Sequence, residues 1–221
     1  MMRFLNIPTP FSLIVMAAAV TDAPAQSNEA YILQDTQQAG VGNTLFIDQS
    51  DAAGSRIGTA QSPIEQRGGG NFAEIVLENR GAEVTTFLQS GASGQANGIF
   101  ANSARITGGA DARITLDQQG FGNEGTIVAT DFGNTAELFQ SGDENTGSVT
   151  VSGQFNTGRL EQIGNGNEYA LNVQGFGLGA SETAVVVTQQ GDNLRQADLG
   201  GVGLDVTTNA AGTVFIRQTT P

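Results

Sequence analysis

The sequence predicts an all-β fold, and more narrowly a thin β-solenoid whose rungs of about 22 residues each contain a strand, a turn, a second strand and a second turn. Three observations lead to this prediction. Asn and Gly recur every eleven residues, apolar and polar residues alternate between them, and Gln occupies one position in every second repeat. Because strand side chains point alternately to opposite faces, this pattern indicates half-buried strands joined by glycine-containing turns.

The eleven-residue spacing is clearest in the second half of the chain. Counted from Ala112, the register continues without a slip through Asn123, Asn134, Asn145, Asn156 and Asn167. Small or apolar residues stand two and four positions after each of these sites, and polar residues lie between them. One repeat therefore predicts one strand and one turn.

The residue type at the position six residues after each repeat start alternates from one repeat to the next, so the full period is two repeats. It is Gln in every second repeat and a small apolar residue in the others, in the order Gln118, Ala129, Gln140, Val151, Gln162, Val173. We therefore expect rungs stacked about 4.8 Å apart that form two facing parallel sheets about 10 Å apart. One wall would carry glutamines and the other small apolar residues.

Buried amides in such a core need partners. An unpaired buried amide is costly, but identical amides stacked at the strand spacing can donate to one neighbour and accept from the other. We predict this amide ladder, and with it self-assembly, at Gln38, Asn43, Gln49, Gln66, Asn71, Gln118, Asn123, Asn134, Gln140, Asn145, Asn156, Gln162, Asn167, Gln189 and Gln218. The alternative, that Asn and Gly only mark turns, explains the asparagines equally well but not the alternating glutamines.

Glycines in the turns form the second set of predicted sites. They are Gly40, Gly68, Gly120, Gly142, Gly153, Gly164 and Gly191. Three turn phenylalanines, Phe121, Phe132 and Phe176, are not required by the strand pattern, and we predict that they are exposed and mediate lateral or surface contacts. Simple packing over the turn is the alternative.

The chain divides into a leader and one repeat domain. Residues 1–25 read as a secretory signal peptide, with one positive charge, the apolar run FSLIVMAAAV and a small-residue cleavage site at Ala23 to Ala25. A membrane anchor is the alternative, but the apolar run is short for a bilayer span. The repeat domain covers 26–221, and its register is irregular at about 50–65, 89–97 and 174–182.

Composition argues against several function classes. The chain has no Cys and no His, its nine basic residues are all Arg, and its net charge is −13. We therefore expect no thiolate or histidine metal site, no cofactor, no nucleic-acid partner and no enzymatic activity.

Several repeat units resemble a known family. QAGVGNTLFIDQ (Gln38 to Gln49), QQGFGN (Gln118 to Asn123) and QSGDEN (Gln140 to Asn145) fit the pattern QxGxxNxAxxxQ of curlin repeats, which build the bacterial amyloid fibres called curli. The resemblance implies a secreted subunit of an extracellular fibre that polymerises with itself and supports biofilm matrix and surface adhesion. It also implies a second curlin-type subunit, an outer-membrane export channel and accessory proteins as partners. The family has a longer segment between the cleavage site and the first repeat than this chain has.

Functions of other classes stay open. A β-helix protein that binds or cleaves carbohydrate would use paired outward carboxylates, for which Glu137 and Glu161 are the candidates. An ice-binding solenoid would need a flat hydroxyl array, of which Thr146, Ser148 and Thr150 form a single row. Calcium could bind exposed carboxylates such as Asp143 and Glu144.

Overall fold

The protein is an all-β molecule without a helix in the residues that the computed structural model describes, which are 11–13, 28–36, 42–50, 52–78, 80–92, 101–175, 183–195, 205–208 and 212–219. Two sheets of stacked strands face each other, and the predicted β-solenoid is confirmed. Gln38, Gly40 and Phe176 lie outside the described residues, as does the predicted signal peptide except 11–13. Within the described ranges no helix is long and apolar enough to cross a membrane.

The larger sheet, called sheet A, has eleven strands. They are β1 (Phe11–Leu13), β2 (Glu29–Ala30), β3 (Ile32–Thr36), β5 (Arg56–Ile57), β6 (Ile64–Gly69), β8 (Glu83–Ala92), β10 (Arg113–Gln119), β12 (Thr135–Ser141), β14 (Thr157–Ile163), β16 (Thr183–Gln190) and β18 (Gly212–Thr219).

The smaller sheet, called sheet B, has seven strands. They are β4 (Thr44–Asp48), β7 (Phe72–Leu77), β9 (Ser103–Gly108), β11 (Glu124–Ala129), β13 (Thr146–Gly153), β15 (Glu168–Gly175) and β17 (Asp205–Thr208). From β6 onward the chain crosses from one sheet to the other after each strand, so one strand from each sheet makes a rung.

Parallel pairing places equivalent residues of successive rungs side by side. In sheet A, Leu116 pairs with Leu138 and Leu138 with Leu160. In sheet B, Ile127 pairs with Val149 in the same way. These residues are fully buried, and their outward neighbours are exposed or half-buried. The period-two pattern therefore produces one continuous apolar core between the sheets.

Glycines at the turns from sheet A to sheet B are needed for two reasons. Gly120, Gly142 and Gly164 have φ angles of 106°, 118° and 116°, which residues with a Cβ rarely adopt. A Cβ on Gly120 would also lie 2.1 Å from the carbonyl oxygen of Gly142, and one on Gly142 would lie 2.1 Å from that of Gly164. The turns stack so closely that the backbone of the next rung fills the space a side chain would need.

The first predicted irregularity coincides with a split strand. β5 and β6 both pair with β8, and the loop between them contains Pro63. The register between β10 and β8 also shifts between Ile114 and Thr115. The regular rungs begin at β10, where the eleven-residue spacing of the sequence becomes uninterrupted.

Candidate functional site

A column of glutamine side chains runs along the inner face of sheet A. Each Nε2 donates a hydrogen bond to Oε1 of the next glutamine in the stack, and the distances lie between 2.6 and 2.9 Å. The column contains Gln34, Gln66, Gln89, Gln118, Gln140, Gln162 and Gln189. Six successive side-chain bonds thus connect seven rungs.

The same amides also tie sheet A to sheet B. Gln140 Nε2 lies 3.0 Å from the carbonyl oxygen of Glu124 and 3.1 Å from that of Asn145. Gln162 Nε2 makes the equivalent bond to Thr146 at 3.1 Å. Because both amide hydrogens find acceptors and Oε1 accepts from the previous rung, the burial cost of these groups is removed.

Inward glycines of sheet B make room for the glutamine column. A Cβ on Gly125 would lie 2.8 Å from Gln118 Nε2, and one on Gly147 would lie 2.8 Å from Gln162 Oε1 and 3.0 Å from Gln140 Nε2. Here the glycine is required by space rather than by backbone conformation. The glutamine wall therefore depends on small residues in the facing sheet.

Asparagines preceding the strands of sheet B form a second column. Each side-chain Oδ1 accepts a hydrogen bond from the backbone N–H of the next asparagine, at 3.0 to 3.2 Å, along Asn43, Asn71, Asn102, Asn123, Asn145 and Asn167. The Nδ2 groups bond turn carbonyls, as Asn145 does to Gly164 at 2.8 Å. These asparagines therefore act both as turn residues and as rungs of a ladder.

Two shorter ladders stabilise the turns. Asn134 and Asn156 precede strands of sheet A, and Asn134 Oδ1 accepts the backbone N–H of Asn156 at 2.8 Å. At the opposite turns, Asp143 Oδ1 accepts from Phe121 N–H at 2.9 Å, and Asn165 Oδ1 accepts from Asp143 N–H at 2.8 Å. In the turns, as in the asparagine column, a side-chain oxygen thus accepts a backbone N–H of a neighbouring rung, and aspartate as well as asparagine supplies that oxygen.

One predicted ladder residue was wrong, and three members were missed. Gln49 follows β4 in sheet B, where it bonds Ser55 Oγ at 3.0 Å and does not join the glutamine column of sheet A. Gln34, Gln89 and Asn102 belong to the columns but were not predicted. Gln218 lies opposite Gln189 in the backbone register.

The outward carboxylates proposed for carbohydrate chemistry share one cation. Arg159 lies 3.5 Å from Glu137 and 3.5 Å from Glu161, and its guanidinium also lies 4.6 Å from the centre of the Phe139 ring. Both carboxylates are thus part of an ion-pair network.

The hydroxyl row proposed for ice binding is interrupted across the rungs. Ser148 on the outer face of sheet B pairs with Thr126 on one side and Ala170 on the other, and Thr126 pairs with Arg105. A flat hydroxyl array would need the same residue type along this column.

A shallow groove lies on the outer face of sheet A. It has a volume of about 210 Å³ and is lined by Asp117, Gln119, Phe139, Ser141, Glu161 and Ile163, over the backbone of the glutamine column. Burial raises the pKa of Asp117, and a hydrogen bond from Gln119 partly offsets the effect. In the part of the chain that the structure describes, no group of three or more Asp, Glu, His or Cys could hold a metal ion.

The fold and the columns together define a parallel β-solenoid with internal amide ladders. No family model, no curated protein and no solved structure matches this chain.

Proposed function

We propose that this protein is a secreted structural subunit of an extracellular, curli-like amyloid fibre, in which copies polymerise end to end and support biofilm matrix and surface adhesion. The observation that carries the proposal is the glutamine column, which is unbroken from Gln34 to Gln189 in parallel register. In cross-β fibres, ladders of this kind join one chain to the next, whereas here the ladder joins successive rungs of one chain.

The ends of the stack favour addition of another copy. An amide within the column has a partner on both sides, whereas Gln34 Oε1 accepts no hydrogen bond from the described residues. The outer edge of a terminal strand likewise presents backbone N–H and C=O groups that pair readily with another strand. A further rung of the same kind satisfies both sets of groups at once.

The distribution of charge is compatible with such stacking. The buried polar residues that the structure describes are Asn, Gln and one Ser, with no charged side chain among them. The side chains of the stacked columns are therefore neutral, while the net charge of −13 helps to keep single copies soluble. A second curlin-type subunit, an export channel with accessory proteins and a surface or matrix contact are proposed as partners on the basis of the family resemblance.

The proposal is tested by incubating the chain from Gln26 onward at micromolar concentration and recording X-ray fibre diffraction. Fibres should give reflections at about 4.8 Å along the axis and about 10 Å across it. A solution that remains monodisperse and monomeric for days would overturn the proposal and favour a soluble carbohydrate-binding or ice-binding solenoid.

A further inference from the structure

The outer edge of β3 is already occupied in the full-length chain. Strand β1 pairs with it in antiparallel orientation, with Phe11 opposite Thr36, Ser12 opposite Asp35 and Leu13 opposite Gln34. Every other strand pair that the structure describes in the two sheets is parallel. An antiparallel strand at this position interrupts the parallel stack at the first glutamine of the column.

Strand β18, the last in the order of sheet A, has the residue pattern of β2 and β3. With Gln218 placed opposite Gln34, Ile216 falls opposite Ile32, and Val214 falls opposite Ala30. Glutamine already pairs with glutamine at Gln34 and Gln66 and at Gln189 and Gln218. The apolar residues of the two strands therefore agree in type and parity, since Ala30 belongs to the core and Ile32, Val214 and Ile216 pack against it.

We propose that the edge of β3 accepts β18 of a second copy in this register, and that β1 blocks the edge until residues 1–25 are removed. This inference rests on the proposed function and names the contact surface, the partner and its regulation. In the described residues sheet A extends one strand beyond sheet B at the β18 end, so sheet A carries the junction.

The lengths of the competing strands explain why the block is reversible. β1 has three residues and covers β3 from Gln34 to Thr36, whereas β18 has eight residues and can pair along both β2 and β3. A three-residue strand adds few hydrogen bonds, each of modest net stability. β1 is thus sufficient to stop a parallel strand from entering, and the described core residues begin after it in the chain, at Ala30.

The test compares the full-length chain, its Ser12→Pro/Leu13→Pro variant, a Ser12→Ala control that keeps the backbone N–H, and the chain from Gln26 onward. The first measurement is hydrogen–deuterium exchange of residues 32–36, which does not depend on fibre formation. We expect these amides to exchange more slowly in the full-length chain and the Ser12→Ala control than in the other two proteins.

The second measurement is the binding of a labelled peptide with the sequence GTVFIRQT of Gly212–Thr219. It should bind the chain from Gln26 and the double-proline variant about tenfold more tightly than the full-length chain, the ratio expected if β1 occupies the edge about 90% of the time. The same peptide with Ile216→Pro is the control and should bind none of them, because proline removes a backbone donor.

The outcomes are distinct. Equal exchange and equal peptide binding in all four proteins would overturn the block by β1. Failure of the peptide to bind any of them would overturn β18 as the partner of β3. Binding of the peptide by a chain from Gln26 that forms no fibres would leave the β3 edge as an acceptor and reject the proposed function.

Discussion

The side-chain Nε2 of Gln140 lies 2.9 Å from Oε1 of Gln162, one rung further along sheet A, and its own Oε1 accepts from Gln118 at 2.8 Å. Gln140 is therefore held from both sides by residues of its own type. The contact is specific to a neutral amide, because the site needs two donors on one atom and an acceptor on the other. Changes in charge at this position test the ladder most directly.

Gln140→Glu should destabilise the solenoid and slow fibre formation near pH 7. The substitution replaces a double donor with an oxygen that faces the carbonyl groups of Glu124 and Asn145. A buried, unpaired charge costs roughly 3–5 kcal/mol. The new carboxyl should have a raised pKa in the folded state, so stability is highest at low pH and is lost as pH rises through that pKa. Unfolding and assembly rates between pH 4 and pH 7 measure the effect, and recovery at the acidic end should be partial.

The matched control for this variant is Thr135→Glu. Thr135 lies on the outer face at the start of the same strand, opposite Arg113, so the added charge is solvated. We expect little loss of stability and only the pH dependence that general charge repulsion produces. Equal rates and equal pH profiles for the two variants would contradict an inward glutamine column.

Gly147→Ala should destabilise the chain by about 1–3 kcal/mol, the usual cost of overpacking a core. The new methyl group would lie within 3.0 Å of Gln140, Gln162 and Leu138 and would push two rungs of the column apart. Ser148→Ala, on the outer face of the same strand, is the control and should change stability by no more than about 0.5 kcal/mol. Denaturant unfolding of both variants measures the difference, and a neutral Gly147→Ala would show that the facing wall has spare room.

Asp117→Asn should raise the melting temperature at pH 7 by a few degrees at most. Because burial raises the pKa of Asp117 in the folded state, wild-type stability falls as pH rises from the ordinary aspartate pKa through the raised one. The asparagine variant lacks this loss, so its advantage should shrink as the pH is lowered towards 3. Glu124→Gln, which removes an exposed charge on sheet B, is the control for net charge. An equal gain in both variants would assign the effect to general repulsion.

Phe121 and Phe132, the predicted contact phenylalanines that the structure describes, should respond differently to replacement by serine. Phe132 is 42% exposed and packs edge to face against Phe155 with ring centres 5.4 Å apart, whereas Phe121 is 38% exposed and has no aromatic partner among the described residues. Phe132→Ser should therefore cost about 0.5–1.5 kcal/mol of folding stability, the range for an aromatic pair.

Phe121→Ser should leave the unfolding transition unchanged and reduce lateral bundling of fibres, as judged by electron microscopy and sedimentation. If Phe121→Ser instead lowers stability as much as Phe132→Ser does, packing over the turn explains both rings. The same serine variant with unaltered bundling would remove Phe121 from the lateral contact.

The sequence was most informative where the turns have constant length. From Ala112 to Asn167 the fixed spacing predicted strands, turns and columns together, since a regular rung leaves no freedom in register. Gln34, Gln89 and Asn102 were missed because loops change the separation between column members: Gln34 and Gln66 are 32 residues apart, and Gln89 and Gln118 are 29 apart, where the regular rungs have 22. A solenoid accepts such insertions at its turns without disturbing the core, so spacing alone cannot follow the column through them.

The other ladder residues could not be recognised from residue type alone. The turn ladder of Asp143, Asn165 and Asp192 changes residue type from rung to rung, although each side chain supplies the same oxygen acceptor. Gln49 shows the opposite error, because it matches the family motif but belongs to the strand on the other wall. The recurrence of one residue type at a fixed spacing therefore does not identify every side chain that stacks.

The two long amide columns are oriented in opposite directions. Each glutamine carbonyl accepts from the preceding rung, as Gln140 does from Gln118, whereas each asparagine Oδ1 accepts from the following rung, as Asn123 does from Asn145. In an α-helix, aligned peptide dipoles add to partial charges at the two termini. Here the side-chain carbonyl dipoles of the two columns oppose each other along the axis. At each end of the stack the two columns therefore present partial charges of opposite sign, which partly offset each other.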